Sequence, residues 1–195
     1  ELGVNRSLRG VGRRQRQMCI RYRLLWVSFT HPHSPYITTQ HYWDMYAHED
    51  VKMPTVPPIE LDAMDPMSRW LHFAHGGDLH NVSDDNIHDA RHAYYGMCTY
   101  IDDKVGHLLD SLEDLGLEDD TVIVFTSDHG DMLGERGMWF KQTFYEWSVT
   151  VPMIIKIPGV NSKERVSELV SLVDLLPTFM DIATSGKVPD AVTPQ

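Results

Sequence analysis

Cysteine is nearly missing from this sequence. Cys19 and Cys98 are the only two in 195 residues, and neither stands at a metal-type spacing. A disulfide-stapled scaffold and a cysteine-based metal module are therefore excluded, and the usage fits a reducing, cytoplasmic compartment. Long apolar runs are missing too. The longest near the N-terminus, Leu24 to Val27, is too short for a secretion-signal core or a membrane span. Basic charge is scarce over most of the length. Seven of the seventeen lysines and arginines fall in the first 23 positions, which leaves 10 basic against 27 acidic groups, a net of −17, in residues 24–195. Such a body repels nucleic acid and anionic membrane, so neither is expected as a partner. No internal repeat is present.

What remains is an ordinary globular composition, 42% hydrophobic and 23% charged, enough for one good-sized core. The arginine-rich residues 1–23 read as a separate arm, foreign or disordered, and 24–195 as the globular part. Leu24 to Thr30 (LLWVSFT) reads as a core strand. HPHSPY follows at once, and Pro32 and Pro35 put His31, His33 and Tyr36 on a loop leaving that strand. The stretch 42–84 is rich in Pro, Asp and His and reads as irregular surface covering, with short helices around 41–46 and 67–74.

The clearest helix runs from about Asp85 to Leu115. Tyr94, Met97, Cys98, Ile101, Val105, Leu108, Leu109, Leu112 and Leu115 recur at three- and four-residue spacing, Ser83 or Asp84 can cap the start, and Gly116 ends it. On that stripe Cys98 reads as a packed core thiol. Val122 to Thr126 is a buried strand, Val151 to Gly159 another, and SELVSLVDLLPTFMDIA supplies a further strand and a helix from near Asp174, with Pro177 tolerated in its first turn. Near-continuous apolar strands alternating with helices predict an α/β fold with a mostly parallel sheet flanked by helices. Ligands of such sheets gather beyond the carboxyl ends of the strands.

Two loops leave such ends. One carries His31 and His33; the other turns from TVIVFTS into Asp128, His129, Gly130 and Asp131, and Lys141 follows after GERGMWF. Asp128 and His129 offer a hard oxygen and an imidazole nitrogen to a divalent cation, though a strand-ending turn accounts for DHG equally well. Lys141 suits a tetrahedral anion as a point charge, and His31 and His33 could donate to an anion or protonate a leaving group. Gathered on one rim, they would make a site for phosphate or sulfate esters.

TSDHGDMLGERGMWFKQTFYE with VPMIIKIPG, WVSFTHPHSPYITTQHYWDMY and HAYYGMCTYIDDKVGHLLDSLEDLGL, in that set and order, resemble the sulfatase family of the alkaline phosphatase superfamily over about Leu24 to Thr184. The resemblance implies an incomplete alkaline phosphatase/sulfatase-like fold that lacks its N-terminal and C-terminal portions. It implies Asp128 and His129 as ligands of a divalent metal, Ca2+ first and Mn2+ or Mg2+ as alternatives. Lys141 would contact the ester sulfate, and His33 would aid sulfate binding or leaving-group protonation, with His31 beside it. The implied partner is a small-molecule sulfate ester, choline sulfate foremost, with a phosphonate monoester or phosphodiester as the alternative and a homo-oligomeric parent enzyme. The family's nucleophile is a formylglycine made from cysteine in a Cys-x-Pro-Ser-Arg or related motif. Neither CIRYR nor CTYID matches it, and the family's paired N-terminal aspartates are absent as well. Formylglycine is thus expected outside this sequence, and the chain alone is expected to be inactive.

Overall fold

The structure is a computed structural model that describes residues 24–160 and 163–184. The arginine-rich residues 1–23, with Cys19, lie outside the described residues. Two compact units divide the chain: Phe29–Glu164, and a smaller one formed by Glu1–Ser28 with Arg165–Gln195.

In the larger unit the chain order is helix α1 (Gln40–Trp43), a 3-10 turn at His48–Asp50, α2 (Pro66–Ala74), α3 (Asp84–Asp114), a 3-10 turn at Glu118–Asp120, strand β1 (Ile123–Thr126), a 3-10 turn at Glu135–Gly137, α4 (Glu146–Val149) and strand β2 (Met153–Lys156). Local chemistry sets the boundaries of α3. The Ser83 hydroxyl accepts from the Asn86 amide while the Asn86 side chain accepts from the Ser83 amide, a reciprocal cap, and Gly116 adopts the left-handed conformation (φ 62°) that closes the last turn. The predicted helix is thus correct to within a residue at each end. Its buried face is another matter: His88, His92, Ala93, Gly96, Met97 and Ile101 are buried, whereas Leu108, Leu109, Leu115 and Cys98 are exposed. Gly96 admits α1, because a Cβ there would meet the Thr38 side chain at 3.0 Å and the Tyr42 carbonyl at 3.1 Å. Cys98 is therefore not the core thiol that its place on the stripe suggested. It lines a cavity of about 370 Å³ between α3 and the strands, with Ile101, Val105, Ile123 and Phe125.

β1 and β2 pair antiparallel, Ile123 opposite Lys156 and Thr126 opposite Met153, and form the only sheet among the described residues. The parallel arrangement expected from their apolar runs is not what these two strands adopt. The connection between them, 127–152, is long enough to allow either direction, and its path brings β2 back antiparallel to β1. Leu24 to Thr30 forms no strand, and Leu24, Leu25 and Trp26 are more than 70% exposed, because no described segment offers it a ladder partner. Residues 167–173, where a further strand was expected, form none either, and their last two residues open a 3-10 turn. In the smaller unit the described order is a 3-10 turn at Leu172–Asp174, capped by Ser171, followed by α5 (Leu175–Thr184), with Pro177 in its first turn as expected.

Residues 42–84 are more than covering. Asp65 caps α2 by accepting from the Met67 and Ser68 amides, and that helix carries Leu71, fully buried against Met132 and Met138 with Tyr145 and Trp147 packed alongside. Each such side chain stabilises the fold by roughly 1.5–3 kcal/mol. Beside this core lies Glu135, 2% exposed. Its carboxylate accepts from the Thr55 amide at 2.9 and 3.1 Å, from the Thr55 hydroxyl at 3.2 Å and from the Val56 amide at 3.0 Å, and faces the Arg91 guanidinium of α3 at 3.6 Å. Arg91 in turn donates to the Leu133 carbonyl at 2.8 Å. One carboxylate thus ties three segments distant in sequence. Glu135→Ala should lower unfolding stability by about 3–5 kcal/mol, since it strands a buried cation and two amides, and Glu135→Gln should cost distinctly less. Urea unfolding of the 195-residue chain, read as a midpoint shift, checks this; equal losses in the two variants would mean that the negative charge is what matters, not the hydrogen bonding.

Candidate active site

The segment after β1 turns sharply at Gly130. Its amide donates to the Ser148 carbonyl at 2.8 Å, and an added Cβ would lie 2.0 Å from the Trp147 carbonyl oxygen, so no other residue fits. That close approach aims the two preceding side chains outward. Asp128 is 87% exposed and His129 34% by side chain, with Oδ2 and Nε2 3.7 Å apart. Nδ1 of His129 lies 2.8 Å from the Gly130 carbonyl. A carbonyl only accepts, so Nδ1 carries the proton and Nε2 presents its lone pair beside the carboxylate. An oxygen and a nitrogen donor open to solvent in this way suit one side of a divalent cation's shell.

His33 and Lys141, 108 positions apart, meet directly, with Nζ to Nε2 2.5 Å. Nδ1 of His33 is 2.7 Å from the Ser34 carbonyl and so is the protonated nitrogen, and Nε2 accepts from the ammonium. Lys141 is held from both sides. Phe140 and Gln142 both have positive φ, 65° and 79°, and the His75 ring stands edge-on to Phe140 at 5.0 Å while its Nε2 lies 3.1 Å from the Gln142 side-chain oxygen. Six of the ten residues from Leu133 to Gln142 have positive φ, four of them not glycine. Strain of about 1–3 kcal/mol for each such non-glycine persists only where surrounding structure over-determines it.

Tyr36 joins the two pairs. Its hydroxyl donates to Asp131 at 3.0 Å to each oxygen, and its ring lies 6.0 Å from Trp139 and 6.4 Å, nearly parallel, from Phe140. The residue three after His33 is thereby bonded to the residue three after Asp128, against the residues that lead into Lys141. Asp131 also accepts from the Leu133 amide at 3.0 Å, which starts the following turn. Of the residues singled out in the sequence, His33 and Lys141 touch, Asp128 and His129 touch, and the Tyr36–Asp131 link connects their loops. His31 lies elsewhere, its ring 5.2 Å from Tyr100 of α3. The loop bearing His33 does not leave a strand end, as expected; it is anchored through Tyr36 instead. Tyr36 and Asp131 were placed on their loops by the sequence but not joined to each other, and His75 and Glu135 went unremarked. The one available signal was the repeated three-residue offset, His33 to Tyr36 and Asp128 to Asp131.

This arrangement can be set beside known proteins. The sulfatase family profile matches residues 21–185, and the chain belongs to that family. It is 42% identical to the choline-sulfatase of Rhizobium meliloti (strain 1021) over 82% of this chain and 31% of that protein. To arylsulfatase K of Gallus gallus it is 32% identical over 77% of this chain and 28% of the other. A phosphonate monoester hydrolase from Silicibacter pomeroyi superposes with a TM-score of 0.74 at 30% identity, over 84% of this chain and 34% of that one. The chain spans about a third of the length of these relatives. The alkaline phosphatase/sulfatase-like α/β class expected from the sequence is thus borne out, and the described residues hold a helix-rich part of it with a small sheet.

Burial, and then the Asp131 carboxylate, push the Tyr36 phenol well above its ordinary value. Above pH of about 10 the unfolded chain loses this proton while the folded chain keeps it, so stability falls as pH rises, by at most about 1.4 kcal/mol per pH unit for one phenol. Tyr36→Phe removes that share. Urea unfolding in steps across this alkaline range should give a shallower decline for the variant, and parallel slopes would contradict the buried phenol.

Proposed function

We propose that this chain contributes the metal-ligand and anion-binding part of a sulfuric ester hydrolase, with choline sulfate as the favoured substrate. The observation that supports the reading is the junction at Tyr36 and Asp131, which links the loop that bears His33, and with it the Lys141 contact, to the loop that bears Asp128 and His129. The 42% identity to a protein named choline-sulfatase supports the substrate. In this reading Asp128 and His129 hold a divalent cation, Ca2+ first and Mn2+ or Mg2+ as alternatives. Bound there, the cation would polarise the ester and neutralise part of its charge. Lys141 neutralises the sulfate as charge grows in the transition state, and His33 fixes where the ammonium points.

The residues present do not fit the family's formylglycine. No described residue stands in its motif, and Cys98, which is open to the pocket but faces the apolar side chains that line it, has its thiol pushed up to about 11 by that desolvation and is not an activated nucleophile. The 195-residue chain alone should show no turnover of choline sulfate above a heat-killed control, because positioned charge cannot replace an attacking atom. Measurable hydrolysis would overturn the assignment.

A second reading, a phosphonate monoester or phosphodiester hydrolase, is favoured by the structural likeness to the Silicibacter pomeroyi enzyme. Turnover of a sulfate ester against a phosphonate ester by the longer protein that contains this segment decides between them. In that protein Asp128→Ala should lower metal affinity and turnover together, and excess calcium should restore part of both. Lys141→Ala should leave metal affinity intact and cost about 2–4 kcal/mol of transition-state stabilisation, beyond repair by metal. Calcium titrations that follow binding and hydrolysis separately give the answer, and calcium rescue of the Lys141 variant would reverse the two roles.

A further inference from the structure

Apart from this site, three imidazoles converge on α3. His88 and His92 are four residues apart and so share one face of the helix, and His48, in the 3-10 turn at His48–Asp50, lies over them with its ring 3.7 Å from that of His88. Each of the three offers a ring nitrogen, and these nitrogens all lie within 4.8 Å of one another. Trp43 stacks on His92 at 3.8 Å and closes one side.

The hydrogen bonds decide which nitrogens are free. Nε2 of His88 is 2.8 Å from the His48 carbonyl and Nε2 of His92 is 3.0 Å from the Trp43 carbonyl. Carbonyl oxygens only accept, so both Nε2 atoms carry protons and both Nδ1 atoms carry lone pairs. Those two Nδ1 atoms are buried and have no hydrogen-bond partner, in residues only 9% and 3% exposed. Buried polar atoms are almost always satisfied, and two orphaned acceptors four residues apart call for a ligand that accepts lone pairs.

We propose that His48, His88 and His92 form a binding site for a divalent transition metal, with Zn2+ as its principal occupant. Three neutral imidazoles are the donor set of zinc, copper or nickel; calcium and magnesium prefer oxygen. A three-histidine shell leaves a fourth position for water. Proton donation from the far side of each buried ring to a backbone carbonyl is the outer support that metal-bound histidines commonly have, since it fixes the tautomer and the ring plane. Zinc–nitrogen bonds of about 2.0–2.1 Å require the nitrogens to draw closer than they stand. His48, exposed and on a short turn, is the ligand that moves. The metal would fasten the segment after α1 to the N-terminal third of α3, and this site differs in chemistry from the oxygen-bearing Asp128–His129 pair.

The test uses the full 195-residue chain, stripped with a chelator and titrated with Zn2+ by calorimetry, with Co2+ as a spectroscopic probe. Both are repeated in Asp128→Ala/His129→Ala, so that the two sites are told apart. One equivalent of Zn2+ in both proteins, a tetrahedral Co2+ spectrum, and preference for Zn2+ over Ca2+ are expected. His48→Ala should weaken binding by at least about tenfold, and His88→Asn/His92→Asn should abolish it. The double substitution alters buried residues, so the exposed His48→Ala variant, checked for unchanged helix content by circular dichroism, carries the decision. Absence of a Zn2+ equivalent in the Asp128→Ala/His129→Ala protein, or undiminished affinity in His48→Ala, overturns the proposal.

Discussion

The candidate site depends on one hydrogen-bonded junction, the Tyr36 hydroxyl against the Asp131 carboxylate. The two residues are 95 positions apart, on segments that share no strand and no helix. Neither loop has backbone pairing that would bring it to the other. The ring packs against Trp139 and Phe140, which removes part of it from water, and in that environment a hydrogen bond to a carboxylate is stronger than at the surface. Burial also makes the bond hard to exchange for water, because either group left alone would pay its desolvation in full. Asp131 spends a second interaction on the Leu133 amide. The bond that gathers the loops therefore also starts the turn that leads on to Lys141.

That turn needs support of its own, since positive φ at Leu133, Arg136, Phe140 and Gln142 is an unfavourable way to run a chain. Glu135 supplies it from below. Its carboxylate fastens the middle of the turn to residues 55 and 56 and to Arg91, while Leu71, Met132 and Met138 exclude water beside it. His75 holds the far end through Gln142 and Phe140. The backbone is thus bound on three sides, and what it presents outward is an ammonium group. A flexible loop could also carry a lysine, but it would lose conformational entropy each time an anion bound.

The pattern of sequence that proved legible is the pattern set by local physics. Ser83, Asn86 and Gly116 delimit α3 through caps that need no tertiary partner, and the two described strands fall where β-branched and aromatic residues cluster. What could not be read depends on neighbours. LLWVSFT has strand composition, yet a strand exists only by pairing, and no described segment pairs with it. The antiparallel register of β1 and β2 is set by the path of 127–152, which periodicity does not encode. On α3 the apolar stripe pointed to Leu108, Leu109 and Cys98, while the fold buries His88, His92 and Gly96, residues that a hydrophobicity pattern passes over. For the candidate site, the reactive types were visible in the motifs; the residues that position them, Tyr36, Asp131, Glu135 and His75, look like any other polar surface residues until the contacts are known.

The histidines show how little backbone is needed to sort one side chain into different chemistries. In His33 and His129 the carbonyl of the next residue takes the Nδ1 proton and turns the Nε2 lone pair outward, in one case to an ammonium, in the other beside a carboxylate. In His88 and His92 carbonyls from another segment take the Nε2 proton and the Nδ1 lone pair is buried without a hydrogen-bond partner. All four rings are fixed by a single carbonyl, and the direction of the free lone pair follows from which nitrogen that carbonyl meets. At the candidate site, with Nδ1 donating to the Ser34 carbonyl and Nε2 accepting from Lys141, both ring nitrogens of His33 are engaged, and the ring is held between its own backbone and the ammonium.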